Sequence, residues 1–418
     1  MENLIIGAGV VGMATALEIL GRGQSVHVID SREHEGLGTS YANGGLLTPS
    51  MSDPWNTPGV HKHILEFILS SKSALKIRLG AIPSLMTWGP RFLLNSTPRR
   101  HEAATLANLA LSIYSLKTLD DMRQTYSLDY EAVQAGSMKI FRSQESLDHA
   151  ARLTDMLGAF GLCSEVADAA RAIELEPSLY PIRDEVRGAI FYPHDGVGDA
   201  HLFCQAAGKA VRAMGGVMQF GHMVEALHTS GNRITSATVD GNKVLVNRVI
   251  VATGVASPAL AAALGVRLRI KPVKGYSVTY RPGKSNRLPK MPVIDDAYHT
   301  AVTPIGDRLR AAGTAEFAGH DVQMDKRRVV GLANMMQEIF PEMMDKETLA
   351  AGTPWAGLRP VSADGRPYIG PGPQSNLWIN SGHGHLGWTM AAGSARLLVD
   401  LIEGRRTEID ANPYRIDR

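Results

Sequence analysis

The stretch NLIIGAGVVGMATALEIL (residues 3–20) contains the pattern from which the fold of this chain is predicted. Its apolar start, residues 3–6, predicts a buried strand, GAGVVG (residues 7–12) predicts a tight turn, and residues 10–20 predict a helix that ends near two glycines. SVHVID (residues 25–30) predicts a second strand. Strand, turn, helix and strand in this order predict a βαβ unit, and therefore an α/β fold.

The glycines of the turn have the spacing of a dinucleotide-binding motif. Gly7 permits the tight turn, Gly9 lets a pyrophosphate approach the backbone, and Gly12 lets the helix pack closely on the sheet. Asp30, at the end of the second strand, is placed to accept hydrogen bonds from an unphosphorylated ribose, which favours FAD or NAD over NADP. The predicted phosphate-facing positions are Gly7, Ala8, Gly9, Val10, Val11 and Gly12.

Length and composition limit the possible classes of protein. A chain of 418 residues exceeds one ordinary core, so two domains are expected. A net charge of +2, without a basic run, argues against a nucleic-acid partner. The two cysteines, Cys163 and Cys204, lie far apart, which excludes a disulfide framework and a cysteine-based zinc or iron–sulfur site, and no metal site is predicted. Because residues 3–20 lack a basic start and contain Glu18, we expect a cytoplasmic protein rather than an exported one.

The rest of the chain alternates between helical and extended patterns. Residues 61–130 predict helices throughout, and residues 217–254 predict a β meander. Residues 270–281, 297–306 and 308–317 predict a second antiparallel sheet. A further strand and three helices are predicted at residues 136–141, 145–160, 199–215 and 326–340. Strands, helices and strands again predict interleaved domains.

Several motifs, in order along residues 1 to about 405, resemble the FAD-dependent D-amino acid dehydrogenases, which lie within the D-amino acid oxidase and glycine oxidase family. Besides GAGVVG they are TSYANGGLLTPS (39–50), DPWNTPGV (53–60), KPVKGYS (271–277), RAAGTAEFAG (310–319), GLRPVSADGRPYIGP (357–371) and NSGHGHLGWTMAAGSARLLVDLI (380–402). The set is far more specific than the glycine turn alone.

The resemblance implies a Rossmann-like FAD-binding domain interleaved with an α+β substrate domain that contains an antiparallel sheet. The expected FAD-binding segments are residues 1–60, 190–265 and 345–418. The expected substrate-binding segments are residues 61–189 and 266–344. Neither cysteine lies in the C-terminal motif region, so we expect FAD to be bound non-covalently.

The resemblance also assigns residues to the substrate. Arg359 of GLRP is expected to bind the substrate carboxylate, which suits the planar fork of a guanidinium. The alternative is a surface arginine in a salt bridge to Asp364 or Glu342. Tyr276 is expected to add a hydrogen bond to that carboxylate, or else to be a core aromatic residue. His299 is a third substrate candidate, by position alone.

The loop at residues 382–387 is expected to lie over the flavin ring, with His383 as a catalytic candidate unless it and His385 are ordinary loop histidines. Ser31 and Arg32 are expected at the adenosine half, or in a solvated turn. The remaining predicted cofactor contacts are Thr39, Ser40, Asn43, Gly44, Gly45, Leu46, Val224, Thr253, Gly254, Gly382, His383, Gly384, His385, Leu386 and Gly387.

The implied reaction is oxidative deamination of a D-amino acid or cyclic D-imino acid, with hydride transfer from Cα to flavin N5 and no assigned general base. In D-alanine-type members of the family the corresponding loop is similar to NAGQISP, whereas here it is NGGLLTP (43–49). Because of this departure, D-proline or hydroxy-D-proline is a candidate substrate. The alternatives are an oxygen-using glycine or sarcosine oxidase, an opine-oxidising or hydrogen cyanide synthase-like subunit, and a non-catalytic flavoprotein.

The implied electron acceptor is a quinone or another respiratory-chain acceptor. Residues 61–95 mix apolar runs with Lys72, Lys76, Arg78 and Arg91, which is typical of a segment at a membrane surface. Peripheral contact with the cytoplasmic face of the inner membrane is therefore one expectation, and buried helices of the substrate domain are the other.

Overall fold

The computed structural model describes residues 2–69, 75–283 and 288–418. The strands in chain order are β1 (Asn3–Ile6), β2 (Val26–Asp30), β3 (Leu46–Leu47), β4 (Leu75–Ile77), β5 (Ser137–Phe141), β6 (Glu165–Asp168), β7 (Gly188–Tyr192), β8 (Gly196–Val197), β9 (Val217–Phe220), β10 (Val224–Ser230), β11 (Arg233–Val239), β12 (Asn242–Leu245), β13 (Arg248–Val251), β14 (Ile270–Tyr280), β15 (Val293–Asp295), β16 (Thr300–Ile305), β17 (Arg308–Phe317), β18 (Thr353–Ser362), β19 (Tyr368–Pro371) and β20 (Leu377–Ser381).

The α-helices in chain order are α1 (Val10–Gly21), α2 (Ile64–Leu69), α3 (Ile82–Leu85), α4 (Gly89–Leu94), α5 (Pro98–Tyr126), α6 (Gln144–Gly158), α7 (Ala169–Leu175), α8 (Ala200–Ala213), α9 (Ser257–Ala262), α10 (Lys326–Ile339), α11 (Lys346–Ala350) and α12 (Gly387–Ile402). The βαβ unit predicted from residues 3–30 is confirmed as β1, α1 and β2.

The first sheet contains this βαβ unit. In the described part of the chain its strand order is β19, β20, β13, β1, β2, β9, and all neighbours are parallel except the antiparallel pair β19 and β20. Helices α1, α8 and α12 cover one face, and the antiparallel strands β10 to β12 cover the other. Because both faces are buried, the inner strands are apolar at successive positions rather than at alternate ones.

The second sheet is larger and mainly antiparallel. Its order is β18, β14, β17, β16, β15, β5, β7, β6, and β4 also pairs with β17. The predicted antiparallel arrangement is confirmed for β14, β16 and β17. Leu332 and Met336 of α10 pack against one face, beside Tyr276 and Val278 of β14. The opposite face is directed toward the first sheet, since the Ser277 hydroxyl donates to the Ala42 carbonyl in the loop before β3.

Two predictions of secondary structure are wrong in part. Residues 217–254 do not form one meander, because only β10 to β12 pair antiparallel, whereas β9 and β13 enter the first sheet as parallel strands. The physical reason is burial on both faces, which the unbroken apolar run of β13 reflects. Residues 61–130 are not helical throughout, because Leu75–Ile77 pairs with Ala315–Phe317, and tertiary pairing overrides local propensity there.

Two elements, β18 and α5, contact the domain to which they were not assigned, but their positions do not test the expected domain boundaries. β18 falls in the predicted FAD-binding segment and pairs within the second sheet. α5 falls in a predicted substrate-binding segment and packs against α12. The two-domain division therefore stays a prediction. Among the described residues, no helix has both the length and the apolar character needed to cross a bilayer.

Candidate active site

The turn between β1 and α1 has the geometry that its glycines predict. Gly7 has a φ of 107°, and a Cβ placed on Gly12 would lie 1.8 Å from the Gly7 carbonyl oxygen. Both positions therefore require glycine. The N–H of Val10, the first residue of α1, donates to the Ser40 hydroxyl at 3.2 Å. The positive end of the α1 dipole thus faces the loop that contains Ser40.

Asp30 closes the same turn from the end of β2. Its carboxylate accepts one hydrogen bond from the Ala8 N–H at 2.7 Å and another from the Arg32 N–H at 2.9 Å. Each carboxylate oxygen keeps a further lone pair, so Asp30 is able to accept hydrogen bonds from a ribose as well. Ser31 and Arg32 are exposed at the rim of the same cavity.

A cavity of about 2560 Å³ extends between the two sheets. This volume exceeds that of an ordinary pocket for one small ligand, and it accommodates a dinucleotide together with a small substrate. Of the residues predicted from sequence, Ala8, Gly12 and Gly382 do not line the cavity. Those that line it are Gly7, Gly9, Val10, Val11, Asp30, Ser31, Arg32, Thr39, Ser40, Asn43, Gly44, Gly45, Leu46, Val224, Thr253, Gly254, Tyr276, His299, Arg359, His383, Gly384, His385, Leu386 and Gly387.

The loop before β3 is attached to the second sheet by hydrogen bonds. Thr39 donates from its hydroxyl to the Leu358 carbonyl at 2.6 Å, and Arg310 donates to the Asn43 carbonyl at 3.0 Å. The N–H of Gly45 donates to the Asn43 side chain at 3.0 Å. A loop fixed in this way holds its backbone along the cavity wall, where a flavin would lie.

The loop that precedes α12 forms another part of the wall. His383 is buried, and no partner for its Nε2 atom is found among the described residues. Burial lowers the pKa of His383 to about 3, so the imidazole is neutral near neutral pH. Burial also lowers the pKa of His385, whose Nε2 lies 3.1 Å from the Met51 carbonyl oxygen and donates to it as Nε2–H. Neither histidine supplies a positive charge to the site.

The residues present fit FAD. The glycine turn and Asp30 form the cradle for the nucleotide half, and the walls between the sheets are long enough for the flavin half. Three buried polar atoms on these walls have no protein partner among the described residues, as expected for groups that face a polar ligand; they are Thr314 Oγ1, Asn380 Oδ1 and His383 Nε2.

Arg359 lies on β18 and crosses over the neighbouring strand β14. Its Nη1 donates to the Thr314 carbonyl at 2.8 Å, and a Cβ placed on Gly275 would lie 2.2 Å from that nitrogen. Gly275 therefore leaves the room through which the guanidinium passes. Burial lowers the pKa of Arg359 to about 10, yet the group stays protonated at neutral pH.

The guanidinium of Arg359 has no carboxylate partner among the described residues. Asp364 is not its partner, because that carboxylate pairs with Arg366 at 2.9 Å and with Arg418 at 2.7 Å. No contact of Arg359 with Glu342 is found either. A cation that is half withdrawn from water and has no counter-ion among the described residues is unfavourable, so this site is suited to an anionic ligand group.

A β-bulge in β17 positions the carbonyl group that accepts a hydrogen bond from Arg359. Lys274 pairs with Glu316 and Tyr276 pairs with Gly313, so β17 has one extra residue at this point. Thr314, within the bulge, has a φ of 58°, which is unusual for a β-branched residue. The bulge turns the Thr314 carbonyl toward the guanidinium, and such distortions are concentrated at functional sites.

Tyr276 and His299 are placed differently from Arg359. The Tyr276 hydroxyl donates to Glu316 at 2.8 Å, and its ring packs in the cluster beside α10. The hydroxyl proton of Tyr276 is thus used in the hydrogen bond to Glu316. Contact of Tyr276 with a substrate carboxylate stays a prediction. His299 lies exposed in the turn between β15 and β16, with a φ of 47°. Its role as a substrate residue also stays a prediction.

Sequence reasoning missed Trp55 and Thr314, which both line the cavity beside Arg359. Trp55 lies in a turn flanked by prolines, and this pattern indicates a rigid loop of the kind that carries functional residues. The bulge at Thr314 had no signal in the sequence, because nothing local distinguishes a residue in a β-bulge from its neighbours in a strand.

Comparison with known proteins adds the family. The DAO family model, described as FAD dependent oxidoreductase, matches residues 3–401. A D-amino acid dehydrogenase of Xanthobacter autotrophicus is 36% identical over 419 residues, which cover 100% of this chain and 99% of that protein. A D-amino acid dehydrogenase of Cereibacter sphaeroides is 38% identical over 422 residues, which cover 100% of this chain and 95% of that protein.

Solved structures share the fold. Glycine oxidase from Geobacillus kaustophilus superimposes with a TM-score of 0.77 at 22% identity, covering 100% of this chain and 98% of that one. L-proline dehydrogenase from P. horikoshii superimposes with a TM-score of 0.77 at 19% identity, covering 99% and 96%. The predicted fold class, a Rossmann-like FAD-binding part combined with an antiparallel substrate sheet, is confirmed.

Proposed function

This chain belongs to the DAO family of FAD-dependent oxidoreductases, and from that premise we propose that it oxidises the C–N bond of a D-amino acid or a cyclic D-imino acid. The observation that carries the proposal is the half-buried Arg359 guanidinium, which faces the cavity without a carboxylate partner among the described residues. Relatives that match over the full length are named D-amino acid dehydrogenases, which supports a substrate carrying both a carboxylate and an α-nitrogen.

In the proposed mechanism, Arg359 binds the substrate carboxylate through its planar fork. The Thr314 carbonyl holds one edge of the guanidinium, so the remaining N–H groups are directed to the ligand. FAD, when bound, supplies the acceptor for the hydride that leaves Cα. The α12 N-terminus adds a positive dipole beside the cavity. The neutral His383 does not serve as an acid near neutral pH, and the mechanism requires no general base from the chain if the amine enters unprotonated.

The reaction is a two-electron oxidation of the C–N bond. The Cα–H bond breaks as the hydride leaves, the nitrogen lone pair forms the C=N bond, and one proton passes from the nitrogen to water. A primary amine gives an imine that water hydrolyses to a keto acid and ammonia. A cyclic secondary amine gives a cyclic imine, and the ring nitrogen stays attached.

A cyclic substrate is the finer part of the proposal. Leu46 lines the cavity at a loop position where D-alanine-type members are expected to have a polar glutamine. An apolar side chain there offers no hydrogen bond to a primary ammonium and favours contact with ring methylenes. This supports D-proline or a hydroxy-D-proline over D-alanine.

A quinone acceptor reached at a membrane surface is also proposed. Large apolar side chains in residues 61–95 are exposed rather than buried, namely Leu65, Leu69, Leu79, Met86, Leu93 and Leu94. Exposed basic residues lie among and after them, namely Lys62, Arg91, Arg99 and Arg100. This combination suits an anionic lipid surface. Lys72, part of the original prediction, lies outside the described residues.

Anaerobic reduction of the bound flavin tests the chemistry. We expect D-proline or hydroxy-D-proline to bleach the visible flavin band, and L-proline to leave it unchanged. If no D-amino or D-imino acid reduces the flavin, the proposed substrate class is wrong. Oxygen uptake without dye reduction would indicate instead a glycine- or sarcosine-type oxidase.

Sedimentation with lipid vesicles tests the membrane contact. We expect binding to vesicles that contain anionic lipid, and weaker binding when Leu65 and Leu69 are both replaced by Ser. Equal binding of the double variant and the unchanged protein would contradict the proposed surface.

A further inference from the structure

Trp55 lies directly against the arginine that the proposed function uses. The Arg359 Cζ atom is 5.6 Å from the centroid of the Trp55 ring, within the range of a cation–π contact. The same ring stacks on the His385 imidazole, with centroids 5.2 Å apart and planes inclined by 12°. Trp55 and His385 both line the cavity. Cation, indole and imidazole thus form one contiguous group at the cavity wall.

The turn that carries Trp55 is fixed from several sides. Asn108 of α5 donates to the Ser52 carbonyl at 3.0 Å. The Asn56 side chain donates to the Asn95 carbonyl at 2.9 Å. On the third side, Pro54 packs on the turn at Gly365, where an added Cβ would lie 2.2 Å from Pro54 Cβ. The indole is therefore held rigidly, although it lies in a loop.

Arg359 has little else to fix its orientation. The Thr314 carbonyl is the hydrogen-bond acceptor found for its guanidinium in the described part of the chain. One hydrogen bond leaves the plane of the group free to rotate about the bonded N–H, whereas contact with a rigid aromatic face restricts that rotation. A guanidinium held in advance loses less entropy when it binds a carboxylate.

We propose that Trp55 is a positioning residue, which orients Arg359 for the substrate carboxylate. The proposal rests on the proposed function, because it assigns the substrate carboxylate to Arg359. It predicts that loss of the indole weakens binding of a carboxylate much more than it slows the chemical step.

Pyrrole-2-carboxylate, a flat ring acid that has no hydrogen on Cα to transfer, provides a probe of binding alone. The FAD-loaded protein is titrated with it, and the change in the visible flavin spectrum gives Kd. We expect about a tenfold increase in Kd for Trp55→Leu and about a threefold increase for Trp55→Phe, which keeps an aromatic face. Trp378→Leu is the matched control, since Trp378 packs against the core of the first sheet, and we expect its Kd to stay unchanged.

Steady-state kinetics give a readout that a merely structural role would not produce. We expect Trp55→Leu to raise KM for the best D-substrate about tenfold while kcat changes less than about twofold. FAD content and the midpoint of thermal unfolding, measured for each variant, identify any loss that comes from misfolding.

The outcomes separate this proposal from the proposed function. If no D-amino acid reduces the flavin but pyrrole-2-carboxylate binds, the Kd series still decides whether Trp55 orients Arg359. Unchanged Kd and KM in folded Trp55→Leu would overturn the proposal. Equal losses in Trp55→Phe and Trp55→Leu would also overturn it, because an aromatic face would then make no difference.

Discussion

Two cations lie against opposite faces of β14, the buried Lys274 and the half-buried Arg359 of β18, and their surroundings differ. Lys274 is completely buried, and its Nζ lies 3.0 Å from Asp321, 3.5 Å from Glu316 and 3.0 Å from the Gln323 carbonyl. Arg359 crosses the other face over Gly275, where it meets one carbonyl and one aromatic ring. Among the described residues, the first cation has two carboxylate partners and the second has none.

This difference in charge pairing distinguishes a charge that stabilises the fold from one that is available to a ligand. A buried charge must be paired, and when the protein does not supply the pair, a ligand is the remaining source. The group of Lys274, Glu316, Asp321 and Arg78, here called the paired cluster, has two charges of each sign. Its charges balance one another. In the proposed function, the carboxylate of the substrate supplies the counter-charge of Arg359.

Removal of Arg359 has the largest expected effect. We expect Arg359→Ala to lower kcat/KM for the best D-substrate about a thousandfold, because the carboxylate loses a desolvated charged partner. Arg359→Lys recovers only part of this loss, since an ammonium lacks the fork. Steady-state kinetics with a check of FAD content measures the effect. Unchanged kcat/KM in a flavin-loaded Arg359→Ala would show that the unpaired cation is not the carboxylate site.

Breaking the paired cluster should affect stability instead. Glu316→Gln leaves Lys274 buried with less negative charge nearby, so we expect a loss of about 3 kcal/mol in the free energy of unfolding. Denaturant titration measures it. Glu408→Gln is the matched control, because Glu408 forms an exposed pair with Lys117 at 3.3 Å, and we expect a change under about 1 kcal/mol. A loss of carboxylate affinity without a loss of stability would reverse the assignment of the two faces.

The same variant has a defined pH signature. Burial by itself would raise the pKa of Glu316, but hydrogen bonds from Tyr276 and Arg78 and the nearby positive charges hold it below its ordinary value. A lowered pKa contributes stability that is fully present above the ordinary carboxyl range and is lost as the pH falls through the folded pKa. We therefore expect the unfolding free energy of the unchanged protein to decline more steeply in acid than that of Glu316→Gln.

A methyl group at position 275 tests the path of the arginine. In Gly275→Ala the new Cβ would overlap the guanidinium, whose flexible end is able to move, so we expect Kd for pyrrole-2-carboxylate to rise about tenfold to thirtyfold. The unfolding free energy should change by less than about 1 kcal/mol. Gly158→Ala, where an added Cβ meets no atom within 4 Å, provides the comparison. Equal affinities in the two variants would contradict the described path of Arg359.

Tyr276→Phe has the smallest expected effect. The ring keeps its packing and loses only the hydrogen bond to Glu316, so we expect a stability loss of about 1 kcal/mol. KM should change less than about threefold if the hydroxyl belongs to the paired cluster. A tenfold rise in KM with unchanged stability would support instead the sequence-based prediction that Tyr276 contacts the substrate carboxylate.

What the sequence could predict was local. The glycine spacing, the apolar residues 3–6 and Asp30 lie within one short segment, and the structure confirms the unit that they predict. Whether β13 pairs parallel or antiparallel depends on strands far away in the chain, and an apolar run alone indicates only that it is buried. The strand at Leu75–Ile77 was missed for the same reason, since its partner β17 lies in a distant part of the chain.

The candidate site follows the same rule. Resemblance of the motif identifies Arg359 as a candidate. Its lack of a carboxylate partner among the described residues follows only from the structure, in which Asp364 pairs with Arg366 and Arg418. Gly275 was not recognised, because its function is to leave space for a side chain from another strand. The sequence KGYS alone does not predict on which face of β14 Tyr276 lies, because the register of β14 depends on the neighbouring strands.

The position of β1 in the first sheet has a consequence for synthesis of the protein. β1 contains the first regular residues of the chain, yet it lies between β2 and β13, and β20 completes the parallel set beyond β13. During translation β1 and β2 emerge long before β13 and β20 exist, and inner strands of this kind are aggregation-prone while they are unpaired. The nascent chain therefore carries an apolar strand edge until β13 and then β20 are made, and shielding by a chaperone should matter most during that interval.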